Sequence, residues 1–348
     1  MLTRLAFIVR STHLLLLLGT NSQRRAMAAA RTSDSSDLFW DQVVQDLEKG
    51  GGLAVVKLTN DHQPRIHQAA FGTAKHALDA LRAGAGAAME DCPRIRQEDS
   101  SAHATGHHSA GGMSSRYNQY REGFVFSNGN HSFPIKDIPN FQHDMEQMFL
   151  SLHDVAQRVL SALERKWNLP NQWFQDSLGD TRNHSQWHIK RYVRHEDEDG
   201  DGDEAPTTGV VVLPTHTDPS LISILVHDAP HIQKGGLGLE YQSIHNRVWT
   251  PIPYHGHSVV TILVGSVLAY MTGMTATKHR VVTSSTTNTN ERMAATLFVR
   301  PRGTAMLTVP PSTNLDTPLF SHRSSSTITF DVWNARVSRN YMKSKPPE

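Results

Sequence analysis

The spacing of apolar residues changes near residue 185 of the chain. Before that point apolar positions recur every three or four residues, which is the period of one helix face. The segment 144–169 shows this most clearly, with a stripe formed by Met148, Leu152, Val155, Val159 and Leu163. Between residues 185 and 301 the apolar runs are short and separated by polar turns, as in HIKRYV, GVVVLP and HSVVTILVGSVLAYM. Several short strands joined by turns are typical of an all-β barrel or sandwich.

Helical and extended patterns alternate before the long helix. The stretch DLFWDQVVQDLEKGGGLAVVKL (37–58) predicts a helix, a glycine stop and a strand, and HQAAFGTAKHALDALRAGAG (67–86) predicts a helix that ends at glycines. Residues 93–116 are rich in Ser, Gly and His without an apolar pattern, which predicts a long flexible loop. We interpret its histidines as solvated and not as a metal cluster, since no helix or strand would fix the positions of His103, His107 and His108.

These patterns divide the chain into four regions. We predict a targeting or disordered leader over residues 1–36 and an N-terminal helical and mixed region over 37–185. A β core over 186–303 and a C-terminal tail over 304–348 follow, and TFDVWNARVSRNYMK predicts a helix in that tail. The predicted fold class is therefore mainly β with flanking helices.

The leader has no acidic residue before Asp34 and carries arginines at positions 4, 10, 24, 25 and 31. Its apolar run at residues 14–18 is too short to span a bilayer. An arginine-rich leader without acids is typical of an organelle transit peptide, which predicts a mitochondrial or plastid location. The alternatives are a secretory signal and a disordered extension on a cytoplasmic protein.

Composition argues against several classes of partner. A formal net charge of +1 over 348 residues gives no electrostatic basis for binding nucleic acid or an anionic membrane surface. The single cysteine, Cys92, excludes an intrachain disulfide and a cysteine-based zinc site. The acidic stretch 195–206 begins like a calcium loop, but Thr208 stands where the closing glutamate belongs and Pro206 interrupts it. We predict a solvated loop there, and a monomeric protein whose partner is a small molecule.

The first candidate functional residues, His216 and Asp218, lie near the start of LPTHTDPSLISILVHD (213–228). This apolar run predicts a strand. Side chains two residues apart on a strand share a face, so this imidazole and this carboxylate project together. A metal needs a third ligand, and His279 at the start of a later strand is the candidate. Two His and one carboxylate on one face leave three octahedral positions open, as in non-haem Fe(II) oxygenases.

Arg292 follows the third ligand after the polar turn SSTTNTNE, and this pattern predicts a hairpin that places its guanidinium near the His279 strand. A buried arginine needs an anion, and its planar fork matches a carboxylate through two hydrogen bonds. A carboxylate-bearing ligand is therefore expected beside the metal.

The order of these motifs resembles that of a known family. The chain carries, in sequence, His216-Thr217-Asp218, Gly235-Gly236-Leu237, Trp249-Thr250-Pro251-Ile252-Pro253, Gly265, His279-Arg280-Val281 and Arg292-Met293-Ala294. This series resembles the 2-oxoglutarate- and Fe(II)-dependent oxygenases, specifically the isopenicillin N synthase-like branch. The resemblance covers roughly residues 37–340 and is strongest over 186–303.

The resemblance implies a double-stranded β-helix, or jelly-roll, core. It implies that the Fe(II) ligands and catalytic residues are His216, Asp218 and His279. Arg292 would pair with the distal carboxylate of 2-oxoglutarate, and Tyr192 would also bind this cosubstrate. The implied reaction is the oxidation, in the simplest case the hydroxylation, of a small metabolite by O₂, with release of succinate and CO₂ and with ascorbate as reductant.

The chain departs from the family pattern at four positions. Ala294 replaces a serine whose hydroxyl helps to hold the distal carboxylate, and Lys190 stands where many plant members carry Asn. Leu263 and Ser266 replace the Asn and Asp around the family's glycine. Two alternatives therefore stay open. One is an isopenicillin N synthase-type Fe(II) oxidase without 2-oxoglutarate, in which Arg292 holds the substrate's own carboxylate, and the other is a non-catalytic small-molecule-binding protein on the same fold.

Overall fold

The computed structural model of the chain describes residues 31–32, 37–58, 68–84, 92–95, 105–110, 121–127, 129–192, 210–227, 238–252, 259–283, 292–311 and 328–343. The helices in these ranges are α1 (Asp37–Lys49), α2 (Ala74–Arg82), α3 (Phe141–Lys166), α4 (Trp173–Leu178), α5 (Thr181–His184), α6 (Ser266–Thr272) and α7 (Phe330–Lys343). The strands are β1 (Arg31–Thr32), β2 (Leu53–Lys57), β3 (Gly106–His108), β4 (Arg121–Phe126), β5 (Gln186–Tyr192), β6 (Val210–His216), β7 (Ile222–His227), β8 (Leu239–Gln242), β9 (Trp249–Pro251), β10 (Val259–Val264), β11 (His279–Thr283) and β12 (Arg292–Val299).

Two sheets form the β core. The larger sheet has the strand order β1-β2-β10-β7-β12-β5-β4-β3, and the smaller sheet has the order β6-β11-β8-β9. Apart from β1 with β2, the described strands pair antiparallel. Both sheets contribute to one apolar cluster, which includes Leu225 and Leu263 from the larger sheet and Leu213, Leu239 and Val281 from the smaller. The sheets therefore face each other across this cluster, and the predicted jelly-roll fold class is confirmed.

The two faces of the larger sheet have different roles. Successive side chains of a strand point to opposite faces. In β5, Trp187 and Ile189 enter the main apolar core together with Phe149 of α3. Lys190 and Tyr192, on the other face, line a cavity between the sheets. One face thus holds the helices, and the other presents polar groups to the candidate site.

The predicted helices are confirmed, with small shifts at their ends. Helix α1 and strand β2 occupy the predicted stretch 37–58, and α7 covers the predicted C-terminal helix. Helix α3 begins at Phe141, slightly before the apolar stripe that predicted it. The helix predicted from residue 67 opens with a π-helical segment, Gln68–Thr73, and continues as α2.

The loop predicted over residues 93–116 is wrong in part. Strand β3 lies within it and pairs with β4 at the edge of the larger sheet. The backbone of His107 also donates to the carbonyl of Pro93 and accepts from the amide of Ile95. Backbone pairing therefore holds a Gly-His-His strand that has no apolar alternation for a pattern to detect. The interpretation of the histidines as solvated is wrong for His108, which is buried in this strand, and His103 lies outside the described residues.

The run HSVVTILVGSVLAYM is a second correction, because it is not extended throughout. Strand β10 ends at Val264, and α6 begins at Ser266, so Gly265 marks a change from strand to helix. A continuous apolar run does not distinguish a buried strand from a buried helix, which is why the pattern missed this boundary.

The predicted boundary at residue 186 falls inside one sheet. Strands β2, β3 and β4 come from the N-terminal region, yet they belong to the same sheet as β5, β7, β10 and β12. Of the predicted leader, the structure describes Arg31 and Thr32, whose backbone pairs with Val56 and Lys57. The acidic loop 195–206 lies outside the described residues. In the described ranges, no helix is both long and apolar enough to cross a membrane.

Gly265 is expected to be essential for the turn between β10 and α6. A Cβ built there would lie 2.0 Å from the carbonyl oxygen of Ser220, so an alanine must displace backbone. We expect Gly265→Ala to lower the free energy of unfolding by about 3 kcal/mol, at the upper end of overpacking costs. Gly84→Ala is the control, because its Cβ meets open space and its left-handed backbone alone costs about 1–2 kcal/mol. Urea unfolding measures both, and equal losses would contradict the close contact at Gly265.

Candidate active site

His216, Asp218 and His279 come together at one end of the smaller sheet. His216 is the last residue of β6, Asp218 lies in the connection to β7, and His279 opens β11. The two histidines are register partners in the β6–β11 pair. Oδ1 of Asp218 lies 3.5 Å from Nε2 of His216 and 3.6 Å from Nε2 of His279. The stretch 213–228 is therefore not one strand, as its apolar pattern predicts, but the end of β6 and the whole of β7, which lie in different sheets.

Hydrogen bonds to the backbone orient both imidazoles. Nδ1 of His216 donates to the carbonyl of Pro214 at 2.8 Å, and Nδ1 of His279 donates to the carbonyl of Thr277 at 3.1 Å. Because a carbonyl can only accept, each Nδ1 carries a proton, and in the neutral ring Nε2 then keeps its lone pair for a metal ion. Such bonds from the second ring nitrogen fix the tautomer of metal-binding histidines.

The carboxylate of Asp218 is buried and charged. Burial alone would raise its pKa, but the neighbouring His279 and His216 hold the pKa well below its usual range. In the described part of the chain, its Oδ2 has no hydrogen-bond partner. The amide and hydroxyl of Ser266 both donate to the Asp218 carbonyl at 2.8 Å, so this residue, where the family carries Asp, anchors the connection.

The donor set fits Fe(II). Burial, together with the adjacent His216, lowers the pKa of His279 to about 4, so this imidazole is neutral at neutral pH. One potential ligand atom from each of the three residues lies within 4.8 Å of the others. Neutral imidazole nitrogens and one carboxylate oxygen without thiolate suit a divalent iron and leave coordination positions for other ligands.

A cavity lies between the two sheets at this site. Its polar lining includes the triad and side chains from the larger sheet, namely His216, Asp218, His279, Lys190, Tyr192, Arg292 and Thr296. Its apolar lining is formed by Leu213, Leu225, Leu239, Val281, Ala294 and Phe298. The cavity is therefore lined by the candidate metal ligands, by cationic groups and by apolar side chains.

Arg292 reaches this cavity by a different route from the predicted hairpin. Strand β12 pairs with β5 and β7 in the larger sheet, whereas β11 pairs with β6 and β8 in the smaller one. The chain between them crosses from one sheet to the other, which a polar turn in the sequence does not reveal. Arg292 is buried at the start of β12 and is the register partner of Tyr192, with its guanidinium carbon 5.5 Å from that ring.

Arg121 is a site residue that the sequence analysis missed. It opens β4, where its backbone pairs with Tyr192 from the side opposite to Arg292. Its side chain is hydrogen-bonded to the Tyr192 hydroxyl, whose pKa is raised by burial. In the sequence, Arg121 is only a charged residue at the start of the apolar run REGFVF. Charged residues are common at the ends of strands, so this pattern did not identify it as part of the site.

Lys190 lies opposite the position of the missing serine, but its ammonium is directed toward Thr296 and Phe298. It is the register partner of Ala294, and its Nζ lies 3.5 Å from Oγ1 of Thr296 and 4.7 Å from the ring centre of Phe298. Burial, with the nearby Arg121 charge, lowers the pKa of Lys190 to about 7.

Ala294→Ser is expected to tighten 2-oxoglutarate binding modestly, because it restores a hydroxyl near Arg292. Ala294 is buried and lines the cavity, so the added oxygen faces the ligand space. One added hydrogen bond has a net worth of about 1 kcal/mol, or roughly fivefold in affinity. The apparent KM for 2-oxoglutarate measures the effect, and a weaker binding would show that Lys190 leaves no space for the hydroxyl.

Comparison with known proteins agrees with this geometry. Residues 183–301 match the model of the 2OG-Fe(II) oxygenase superfamily. No curated protein matches the chain. Among solved structures, a full-length Neurospora crassa protein in complex with alpha-KG and thymine is 15% identical, with a TM-score of 0.64 over 88% of this chain and 94% of that chain. The rice dioxygenase for auxin oxidation is 17% identical, with a TM-score of 0.58 over 90% and 96%. Its Arabidopsis thaliana counterpart, AtDAO1 with 2-oxoglutarate, is 16% identical, with a TM-score of 0.52 over 79% and 93%.

The fold and the site define a class, the jelly-roll enzymes that place two histidines and one carboxylate around a metal. The three solved structures share the fold. The matched region, residues 183–301, is similar to the 2OG-Fe(II) oxygenase superfamily, whose members are 2-oxoglutarate-dependent dioxygenases. Members of this superfamily need Fe(II), 2-oxoglutarate and O₂. The isopenicillin N synthase-like branch inferred from the motif order is consistent with this superfamily.

Proposed function

We propose that the protein hydroxylates a small-molecule metabolite. Fe(II) would be held by His216, Asp218 and His279, and 2-oxoglutarate would be held through Arg292. The facing arrangement of these groups supports the proposal, because the triad and the guanidinium lie on opposite sheets and line one cavity. One atom of O₂ enters the substrate as a hydroxyl and the other enters succinate, while 2-oxoglutarate loses CO₂.

Each group of the chain has one task in this reaction. Bound Fe(II) supplies the activation of O₂, which no amino-acid side chain provides. The carbonyls of Pro214 and Thr277 keep both imidazoles turned toward the metal. Asp218 neutralises one positive charge of the ion, and Arg292 orients the cosubstrate carboxylate. The apolar wall that includes Phe298 keeps water from the reacting centre.

The similar structures support a small-molecule substrate. The Neurospora crassa structure contains thymine, and the rice enzyme is named for auxin oxidation.

The proposed function is tested with the full-length purified chain, Fe(II), ascorbate, O₂ and a panel of metabolites. We expect 2-oxoglutarate to be converted to succinate, and one class of metabolite to accelerate the conversion. Mass spectrometry should then find a product heavier by one oxygen atom. A product lighter by two hydrogen atoms would indicate desaturation instead, and no succinate above the enzyme-free background would contradict the proposal.

We further propose that the leader directs the protein to an organelle and is then removed. The mature chain is expected to begin between about residues 20 and 37, as for an arginine-rich transit peptide. A cut before Arg31 would retain the parallel pair of β1 with β2. N-terminal sequencing of the protein from its native source measures the new terminus. An intact Met1 on protein in the cytosol would contradict this proposal.

A further inference from the structure

A group of cationic and imidazole side chains surrounds Phe298, which lines the cavity together with Lys190. Nζ of Lys190 lies 4.7 Å from the Phe298 ring centre, and the guanidinium carbon of Arg300 lies 5.9 Å from it. The ring of His188 meets the same phenyl ring nearly at a right angle, with centroids 4.9 Å apart. We refer to His188, Lys190, Phe298 and Arg300 as the Phe298 cluster.

Strand geometry separates Phe298 from Arg292, the proposed partner of the cosubstrate. Residues two apart on β12 share a face, so the side chains of Arg292 and Phe298 lie on the same face of the sheet. The six residue steps from Arg292 to Phe298 span roughly 20 Å at about 3.3 Å per residue. A five-carbon dicarboxylate that pairs with Arg292 is much shorter than this span. The Phe298 cluster is therefore available to a second ligand.

The cations of the cluster have no carboxylate partner in the described part of the chain. Asp218 is the carboxylate whose charge acts on both Lys190 and Arg300, and it belongs to the triad. Burial lowers the pKa of Arg300 to about 10, as expected for a guanidinium without a close counter-ion. Buried cations are costly unless an anion pairs with them.

His188 adds an unused donor. Its side chain is buried, and neither ring nitrogen has a hydrogen-bond partner among the described residues. Burial and the neighbouring Lys190 hold its pKa well below the usual range, so the ring is neutral and offers one N–H. An ammonium, a guanidinium and an imidazole N–H together form a receptor for an oxyanion.

We propose that the Phe298 cluster binds the carboxylate of the prime substrate, and that this substrate is a small apolar or aromatic carboxylic acid. The inference rests on the proposed function, since it assigns the second ligand of the same cavity. Lys190, Arg300 and His188 face the anionic group. Phe298 and the leucines that line the cavity contact the apolar body.

The test uses matched pairs of carboxylic acids and their primary amides, with phenyl, indolyl and hexyl bodies. Calorimetry without O₂ measures their binding to the full chain, loaded with Fe(II), in the presence and absence of 2-oxoglutarate. We expect at least one acid to bind about tenfold or more tightly than its amide, which is the loss expected for one charge-assisted hydrogen bond. Equal affinity for every pair, or no acid bound at millimolar concentration, would overturn the proposal.

Single substitutions assign the effect to the cluster. Lys190→Met and Arg300→Met should each weaken the acid about tenfold and leave its amide unchanged. Arg302→Met is the control, because it removes the same charge from an exposed position two residues further along the chain. If Lys190→Met and Arg300→Met behave like the control, the cluster does not bind the carboxylate.

The KM for 2-oxoglutarate in the uncoupled reaction separates this inference from the proposed function. If Lys190→Met raises that KM and leaves the acid affinity unchanged, Lys190 serves the cosubstrate and the proposal is overturned. If the unaltered chain never consumes 2-oxoglutarate, the proposed function fails. The contrast between acid and amide is a binding measurement and does not depend on turnover.

Discussion

His279→Ala is expected to abolish turnover while the chain stays folded. His279 supplies one of the three candidate ligand atoms, and its removal leaves two ligands, which hold a divalent ion poorly. The imidazole makes one backbone hydrogen bond, to Thr277, so the free energy of unfolding should fall by only about 1–2 kcal/mol. We expect one Fe(II) per unaltered chain and a large loss of bound iron in the variant. Metal analysis after gel filtration, circular dichroism and succinate formation measure the three effects.

His245→Ala is the matched control for this prediction. His245 is exposed in the turn between β8 and β9, and it lies outside the cavity. Its loss should change neither iron content nor succinate formation. A His279→Ala enzyme with normal activity would show that the triad is not the metal site, whereas a variant that fails to fold would call for His279→Gln in its place.

Arg292→Ala is expected to weaken 2-oxoglutarate by about ten- to a hundredfold and to leave Fe(II) binding nearly unchanged. The guanidinium is buried at the cavity on the sheet opposite to the triad, and Ala294 offers no hydroxyl to share the distal carboxylate. A charge-assisted hydrogen bond is worth about 1.5–3 kcal/mol, and 1.4 kcal/mol is tenfold in affinity. The apparent KM for 2-oxoglutarate in the uncoupled reaction measures the loss. Arg302→Ala removes an exposed arginine and serves as control.

A different result would favour the oxidase alternative. If Arg292→Ala leaves the KM for 2-oxoglutarate unchanged and weakens the prime substrate, Arg292 holds the substrate's own carboxylate. The specific feature that favours this alternative is Ala294 in place of the family's serine. The two alternatives are therefore distinguished by whether the loss of this guanidinium weakens the binding of 2-oxoglutarate or of the prime substrate.

The sequence predicted the chemical groups of the site better than their arrangement. His216, Asp218 and His279 stand out by residue type and order, because few structural roles need this series before a distant arginine. Their assembly depends on the pairing of β6 with β11, which joins positions more than sixty residues apart and leaves no local pattern. Arg121 was missed for the related reason that a charged residue at a strand end is common, and only tertiary contact shows that it meets Tyr192.

The division between strands and helices was predicted where the apolar period is clear, as in α3, and failed where it is not. Strand β3 has no apolar alternation, and its stability comes from backbone bonds to β4 and to Pro93. Arg292 was expected beside His279 on a hairpin, yet the two belong to facing sheets. Sheet membership is a long-range property, and a polar turn in the sequence is compatible with either outcome.

The placement of the triad and Arg292 on opposite sheets has a consequence for the stability of the whole domain. The smaller sheet carries His216 and His279, and the larger sheet carries Arg292. A ligand that binds both to a metal at the two histidines and to Arg292 connects the two sheets. A metal ion alone does not contact Arg292. The two sheets could then separate only after that ligand dissociates. The free energy of unfolding should therefore rise with the concentration of the ligand. If 2-oxoglutarate binds as proposed, its concentration and the resistance of the domain to unfolding are linked through the same cavity.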